Sequence, residues 1–154
     1  MRRLARLAVP VLIALHPSLA FACGPTPPVF AGGEPGPEGG VSVSVGRIAE
    51  VIWVPLLIDG IAVPGDAGLS LTVHADGKVE GATGCNRFSG TAVLDAGAME
   101  FGPLAVTEMA CLDPEQMDRE AAYLKALGEV RSFVAAPEGM WLTRADGTVA
   151  LCLW

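Results

Sequence analysis

Alternating apolar and polar positions dominate the chain beyond residue 40. Val41, Val43 and Val45 alternate with small polar residues, and Ile48 to Ile58 is a mainly apolar run containing Trp53. This alternation and the β-branched enrichment predict strands, with Pro55 restricted to an edge or a bulge because it lacks a ladder donor. Leu69, Leu71 and Val73 alternate up to Asp76-Gly77, and Lys78 to Ala82 resume the pattern beyond it. Asp-Gly between two short strand-like runs predicts a hairpin in which both turn positions take positive φ. Met140 to Thr143, Asp146-Gly147 and Val149 to Trp154 repeat the arrangement near the C-terminus. Shared turn chemistry accounts for the likeness of the two hairpins without an internal duplication.

One segment departs from the two-residue period. Asp113 is placed to cap a helix, Pro114 suits its first position, and Gln116 completes a capping-box-like spacing. Met117, Ala121 and Leu124 fall on one face at the 3.6-residue period, flanked by Tyr123 and Leu127, and Gly128 supplies a left-handed stop. Asp113, Glu115, Asp118 and Glu120 crowd the first turns, where they suit the helix dipole. They read as a solvated face with no binding role. The pattern as a whole predicts a mainly β, α+β fold: an antiparallel sheet with one late helix packed on an open face or end.

Residues 1–22 have the three parts of a secretory signal peptide. Arg2, Arg3 and Arg6 precede the apolar stretch Leu7 to Leu15, Pro17 interrupts it, and Ala20-Phe21-Ala22 forms a cleavage signature. An apolar stretch this short does not cross a hydrocarbon core about 30 Å thick, and no later segment is long and apolar enough to do so. Cleavage there makes Cys23 the first mature residue and a candidate for lipidation. Ala20 stands where lipoprotein signals usually have leucine, so ordinary cleavage to a periplasmic product is favoured over a membrane-anchored lipoprotein. Residues 23–46 form a Gly/Pro-rich flexible tether, with twelve glycines or prolines between Gly24 and Gly46. Residues 47–154 remain for the folded domain.

The 154-residue chain carries a formal charge of −7, and without residues 1–22 seven basic side chains face seventeen acidic ones, a charge of −10. Nucleic-acid binding needs clustered Lys and Arg, so that class is excluded. The same charge opposes docking on anionic lipid through a basic face.

Cys85 and Cys111 lie in two unusual strings, Gly84-Cys85-Asn86-Arg87-Phe88-Ser89-Gly90 and Thr107-Glu108-Met109-Ala110-Cys111. In an oxidising compartment they form the expected disulfide. A redox-active pair is disfavoured, with no Cys-x-x-Cys spacing and no adjacent His or Lys to activate a thiol. Gly84 and Gly90 suit a close approach of backbone to backbone. Asn86 suits a left-handed turn and can satisfy local backbone groups. Phe88 and Met109 read as core residues. Arg87 reads as structural, able to hold an acid such as Glu108 through a bidentate pair, or alternatively to meet an anionic ligand.

These two strings, with Phe101-Gly102-Pro103-Leu104 between them, resemble the META domain family of small envelope proteins. Trp53 with Asp59-Gly60, the Asp76-Gly77 hairpin, the helix after Cys111 and the final hairpin follow the family's order, over about residues 47–154. The resemblance implies a curved sheet or partial lipocalin-like barrel with one helix, often exported and often lipid-anchored, and implies no enzyme. The long tether and the extra Cys152 depart from the simplest members. Cys152 is expected either to bridge to an unlipidated Cys23 or, with Cys23 lipidated, to be a buried thiol.

An enzyme is not expected. His74 is the one histidine outside the signal and reads as a surface residue, and neither zinc-ligand spacing nor a nucleophile elbow is present. No metal or cofactor is expected. The leading expectation is a non-enzymatic exported module, an envelope-stress or interaction factor with an envelope protein or small ligand as partner. A small-molecule or lipid carrier comes second, and a thiol-dependent redox protein third.

Overall fold

In a computed structural model of the chain, the structure describes residues 45–95 and 97–154. Residues 1–22, expected to be a signal peptide, nearly all of the expected tether, Cys23, Val41 and Val43 lie outside the described residues. Val45–Arg47 forms a 3-10 turn, so the valine alternation does not carry a strand into the domain.

The strands are β1 (Ile52–Trp53), β2 (Pro55–Ile58), β3 (Ile61–Ala62), β4 (Leu69–Val73), β5 (Lys78–Thr83), β6 (Arg87–Asp95), β7 (Ala98–Phe101), β8 (Ala105–Val106), β9 (Ser132–Ala136), β10 (Gly139–Thr143) and β11 (Val149–Leu153). Helix α1 (Pro114–Glu129) lies between β8 and β9. The fold is mainly β, a curled antiparallel half-barrel with the helix packed against it. Its strand order is β1-β4-β5-β6-β7-β9-β10-β11-β2-β3, with β8 paired to β6. The sheet curls so far that both ends draw on one run, residues 52–58. Val54, between β1 and β2, exchanges backbone bonds of 2.8 and 3.0 Å with Trp154. Pro55 opens β2 beside a register shift at Cys152/Leu153, a bulge position where its missing donor costs little.

Both expected hairpins form, but with a different turn. Gly77 and Gly147 have φ of 83° and 81°, whereas Asp76 and Asp146 are not among the residues with positive φ. His74 N donates to Lys78 O at 2.8 Å and Gly77 N to His74 O at 3.0 Å, and Arg144, Gly147 and Thr148 repeat the pattern. Each is a three-residue loop closed by a left-handed glycine. Each aspartate accepts from the backbone N–H two residues on, Lys78 or Thr148. That bond is an Asx turn, which holds the start of each loop in place.

The longest strand, β6, falls largely within and after the Gly84–Gly90 string, where periodicity alone did not reveal it. Its N-terminal half pairs with β5 on one side and β8 on the other, and its C-terminal half pairs with β7. β7 and β8 are thus one partner broken at Gly102–Leu104. A Cβ on Gly90 would lie 2.9 Å from Pro103 O, so the break requires glycine opposite it.

Helix α1 begins as expected at Asp113, whose side chain accepts Glu115 N at 3.0 Å. Gln116 does not complete a capping box with it; its amide packs near Gly84. The buried face is Tyr123, Ala126 and Leu127, while Met117 is 54% exposed and Ala121 is exposed. The helix is therefore rotated from the face that periodicity favoured. Gly128 stays inside the helix, which ends at Val130 in extended backbone. Arg131 Nη1 then donates to the carbonyls of Gly128 and Val130. Inside the curl, Met99, Tyr123, Leu127, Met140, Leu142, Leu151 and Leu153 are fully buried in one cluster with Phe88 and Trp53. Trp141 lies in a second, outer cluster with Ala136 and Cys152.

Candidate functional site

The two cysteine strings meet beside the N-terminal half of α1. Cys85 and Cys111 form a disulfide with Cα atoms 5.9 Å apart. Gly84 turns the chain into β6 with φ of 91°, and a Cβ there would lie 2.4 Å from Ala67 O. Only glycine satisfies both conditions. Asn86 is not left-handed; its side chain is the centre of a polar knot instead. Asn86 Oδ1 accepts from Met109 N at 2.7 Å and from Thr107 Oγ1 at 2.9 Å. Asn86 Nδ2 donates to both carboxylate oxygens of Glu120 at 3.1 Å. Thr83 Oγ1 donates to the same carboxylate and accepts Asn86 N at 2.9 Å.

The knot thus joins the β5–β6 turn, the segment after β8 and the helix. Thr83 and Asn86 are buried, and no buried side-chain polar atom among the described residues lacks a partner. Burying these groups costs little because each donor meets an acceptor. Glu120 corrects one expectation: it belongs to this knot rather than to a solvated face. Met109 corrects another. Its side chain is 60% exposed, and the motif uses its backbone N–H, not a core contact. Phe88 is buried as expected, edge-on to Tyr123 with ring centroids 5.9 Å apart. Burial pushes the Tyr123 hydroxyl well above its ordinary pKa, and the group donates to Ser70 O at 3.2 Å.

Arg87 behaves differently. Its backbone N donates to Thr107 Oγ1 at 3.0 Å, which fixes the residue at the start of β6. No ion pair to Glu108 forms, and among the described residues the guanidinium has no carboxylate partner. It projects from the outer face because Phe88, next along the strand, takes the inner one. There it lines a groove of about 490 Å³ with Ser70, Thr72, Glu80, Ser89 and Thr107. Cross-strand register builds the floor: Thr72 faces Glu80, and Glu80 faces Ser89. Periodicity could have found this row, since all three are the outward positions of their strands.

At the next turn His74 bridges two carboxylates, with Nδ1 2.9 Å from Glu50 Oε2 and Nε2 3.6 Å from Glu80 Oε1. The Glu50 hydrogen bond raises the His74 pKa above its ordinary value. Ala75 N–H, and then His74, lower that of Glu50. His74 is at the surface, as expected, but it has partners.

A family model described as META domain matches residues 47–153. An NMR structure of a protein from Burkholderia xenovorans is 31% identical, with a TM-score of 0.56 over 84% of this chain and 96% of that one. A second NMR structure, 22% identical, has a TM-score of 0.58 over 72% of this chain and 93% of that one, and shows a shared fold. No curated protein matches the chain.

Proposed function

The chain belongs to the META domain family, and on that premise we propose that it is an exported, non-enzymatic module of the cell envelope. It binds an anionic group on an envelope partner through the outer groove at Arg87 and supports tolerance of envelope stress. The observation that carries this reading is the division of work within the motif. Thr83, Asn86, Thr107 and Glu120 spend their polar groups on one another, which suits a structural knot rather than catalysis. Arg87 alone in the string presents a charged group outward, held at its backbone and without an ion pair among the described residues. A guanidinium so placed suits bidentate recognition of carboxylate or phosphate.

A carrier would need room inside the curl, and the inner face is filled by Met99, Met140, Leu142, Leu151 and Leu153 around Tyr123. The outer groove is therefore favoured over an internal ligand. A redox role for Cys85–Cys111 is less favoured, since the pair staples the strands that the knot already joins. The test is genetic. A deletion strain is expected to lose tolerance of heat, detergent or drugs, and Arg87→Ala is expected to reach the envelope folded yet fail to restore it. A deletion strain indistinguishable from its parent overturns the stress role, and full restoration by Arg87→Ala overturns the groove.

A further inference from the structure

The outer face of β1, β4, β5 and β6 carries more than Arg87. Register lines up Ile52, Thr72, Glu80 and Ser89 across these four strands. Arg87 faces Ala82 on β5, so Glu80 is its diagonal neighbour, with Cα atoms about 7–8 Å apart. The two charges do not pair with each other. Glu80 is exposed and, among the described residues, its carboxylate reaches only His74 Nε2, at 3.6 Å. Ser70 Oγ accepts Ala82 N and Thr107 Oγ1 belongs to the knot, which leaves the hydroxyls of Thr72 and Ser89 for a ligand. A cation, an anion and two hydroxyls thus share one outward floor.

The groove ends in apolar side chains. Ile52 lines it and is 69% exposed. Trp53 takes the inner face, so Val54 shares the outer one with Ile52. Val54 and Trp154 exchange two backbone bonds, which sets their side chains beside each other. Trp154 is 61% exposed, whereas Trp53 and Trp141 are buried. An exposed indole, apolar in body and polar at its N–H, suits the boundary between water and lipid.

We propose that this face docks on a zwitterionic phospholipid surface. Arg87 holds the headgroup phosphate, Glu80 takes the primary ammonium of an ethanolamine, and Ile52, Val54 and Trp154 enter the interface. The inference rests on the groove reading and names its partner. Charge complementarity selects this occupant. A formal charge of −7 opposes an anionic surface, whereas a guanidinium beside a carboxylate matches a headgroup that is itself a pair of opposite charges. A carboxylate accepts hydrogen bonds, which a primary ammonium donates and a trimethylammonium does not. Ethanolamine headgroups are therefore favoured over choline.

The test is co-flotation with vesicles of the chain as its cell processes it, with tryptophan emission read in parallel. Vesicles of equal parts phosphatidylethanolamine and phosphatidylcholine are expected to carry the protein and shift its emission to the blue, Trp154 being the exposed indole. Phosphatidylcholine alone and phosphatidylglycerol-rich vesicles should each bind several-fold less. Arg87→Ala should weaken binding about tenfold, and Glu80→Gln should erase the preference for ethanolamine over choline. Ile52→Ser and Trp154→Ser should weaken binding to every vesicle. These side chains are exposed, so the circular dichroism of each variant should match the parent's. Comparing parent with variant cancels any contribution of the N-terminal segment. Equal flotation of parent and Arg87→Ala, strongest binding to phosphatidylglycerol, or a lipid-free dimer that Trp154→Ser dissolves would each overturn the inference. Absence of flotation, with Arg87→Ala still failing to restore stress tolerance, would overturn the lipid and leave the groove reading standing.

Discussion

Asn86 holds together three parts of the chain that are distant in sequence, and its worth is set by what its removal would strand. Asn86→Ala leaves Met109 N–H and Thr107 Oγ1 without their acceptor and takes a donor from Glu120. Stranded polar groups in a part-buried site cost more than the bonds return, so a loss of about 3 kcal/mol is expected. A lowered urea midpoint at unchanged slope would show it. His74 makes a prediction of a different kind. Its raised pKa means that its contribution is complete below 6.5 and is lost as pH rises through the folded value. The lowered pKa of Glu50 means that its contribution is complete above 4.5 and is lost as pH falls through the folded value. The pair is therefore intact between those limits. Because both groups are exposed, added salt weakens it. By NMR titration, Glu50→Gln should return the imidazole midpoint toward 6.5. A midpoint unmoved by that change would transfer the effect to Glu80.

Elements are placed here by glycines and by one helix face. Gly84→Ala combines positive φ with a contact of 2.4 Å to a backbone oxygen, neither of which a flexible side chain can relieve. A loss of about 2 kcal/mol or more is expected by thermal or urea unfolding, and the β6 entry should lose hydrogen-exchange protection first. Tyr123→Phe keeps the ring against Phe88 but loses the bond to Ser70 O, at a cost of about 1 kcal/mol. The helix start was legible in sequence because Asp113 and Pro114 act on adjacent backbone groups. The buried face was not. Met117 and Ala121 fit the helical period, but the Glu120 bonds to Thr83 and Asn86 turn the helix so that Tyr123 and Leu127 face the core. β6 was hidden for a related reason: glycines, an arginine and a serine leave little alternation, and its partners on both sides supply the order that propensity does not.

At the scale of the whole molecule, the Cys85–Cys111 staple closes a separation of 26 residues between the β5–β6 turn and the helix start. Chain entropy assigns such a closure about 3 kcal/mol. Cys85→Ser with Cys111→Ser should lower stability by that amount while leaving the circular dichroism of the folded state unchanged. The strand-rich class, the hairpin positions, the helix start, this cysteine pair and the family were all legible along the chain. These depend on residue type, on neighbours a few positions away and on recognisable strings, which a linear reading contains. Folding adds that Glu120 serves a knot, that Met109 lends its backbone and not its side chain, and that Arg87 faces a groove rather than Glu108. The reason is separation along the chain. Asn86 meets Glu120 across 34 residues and Met109 across 23, and no local period reports which distant groups a curled sheet will bring within hydrogen-bonding distance.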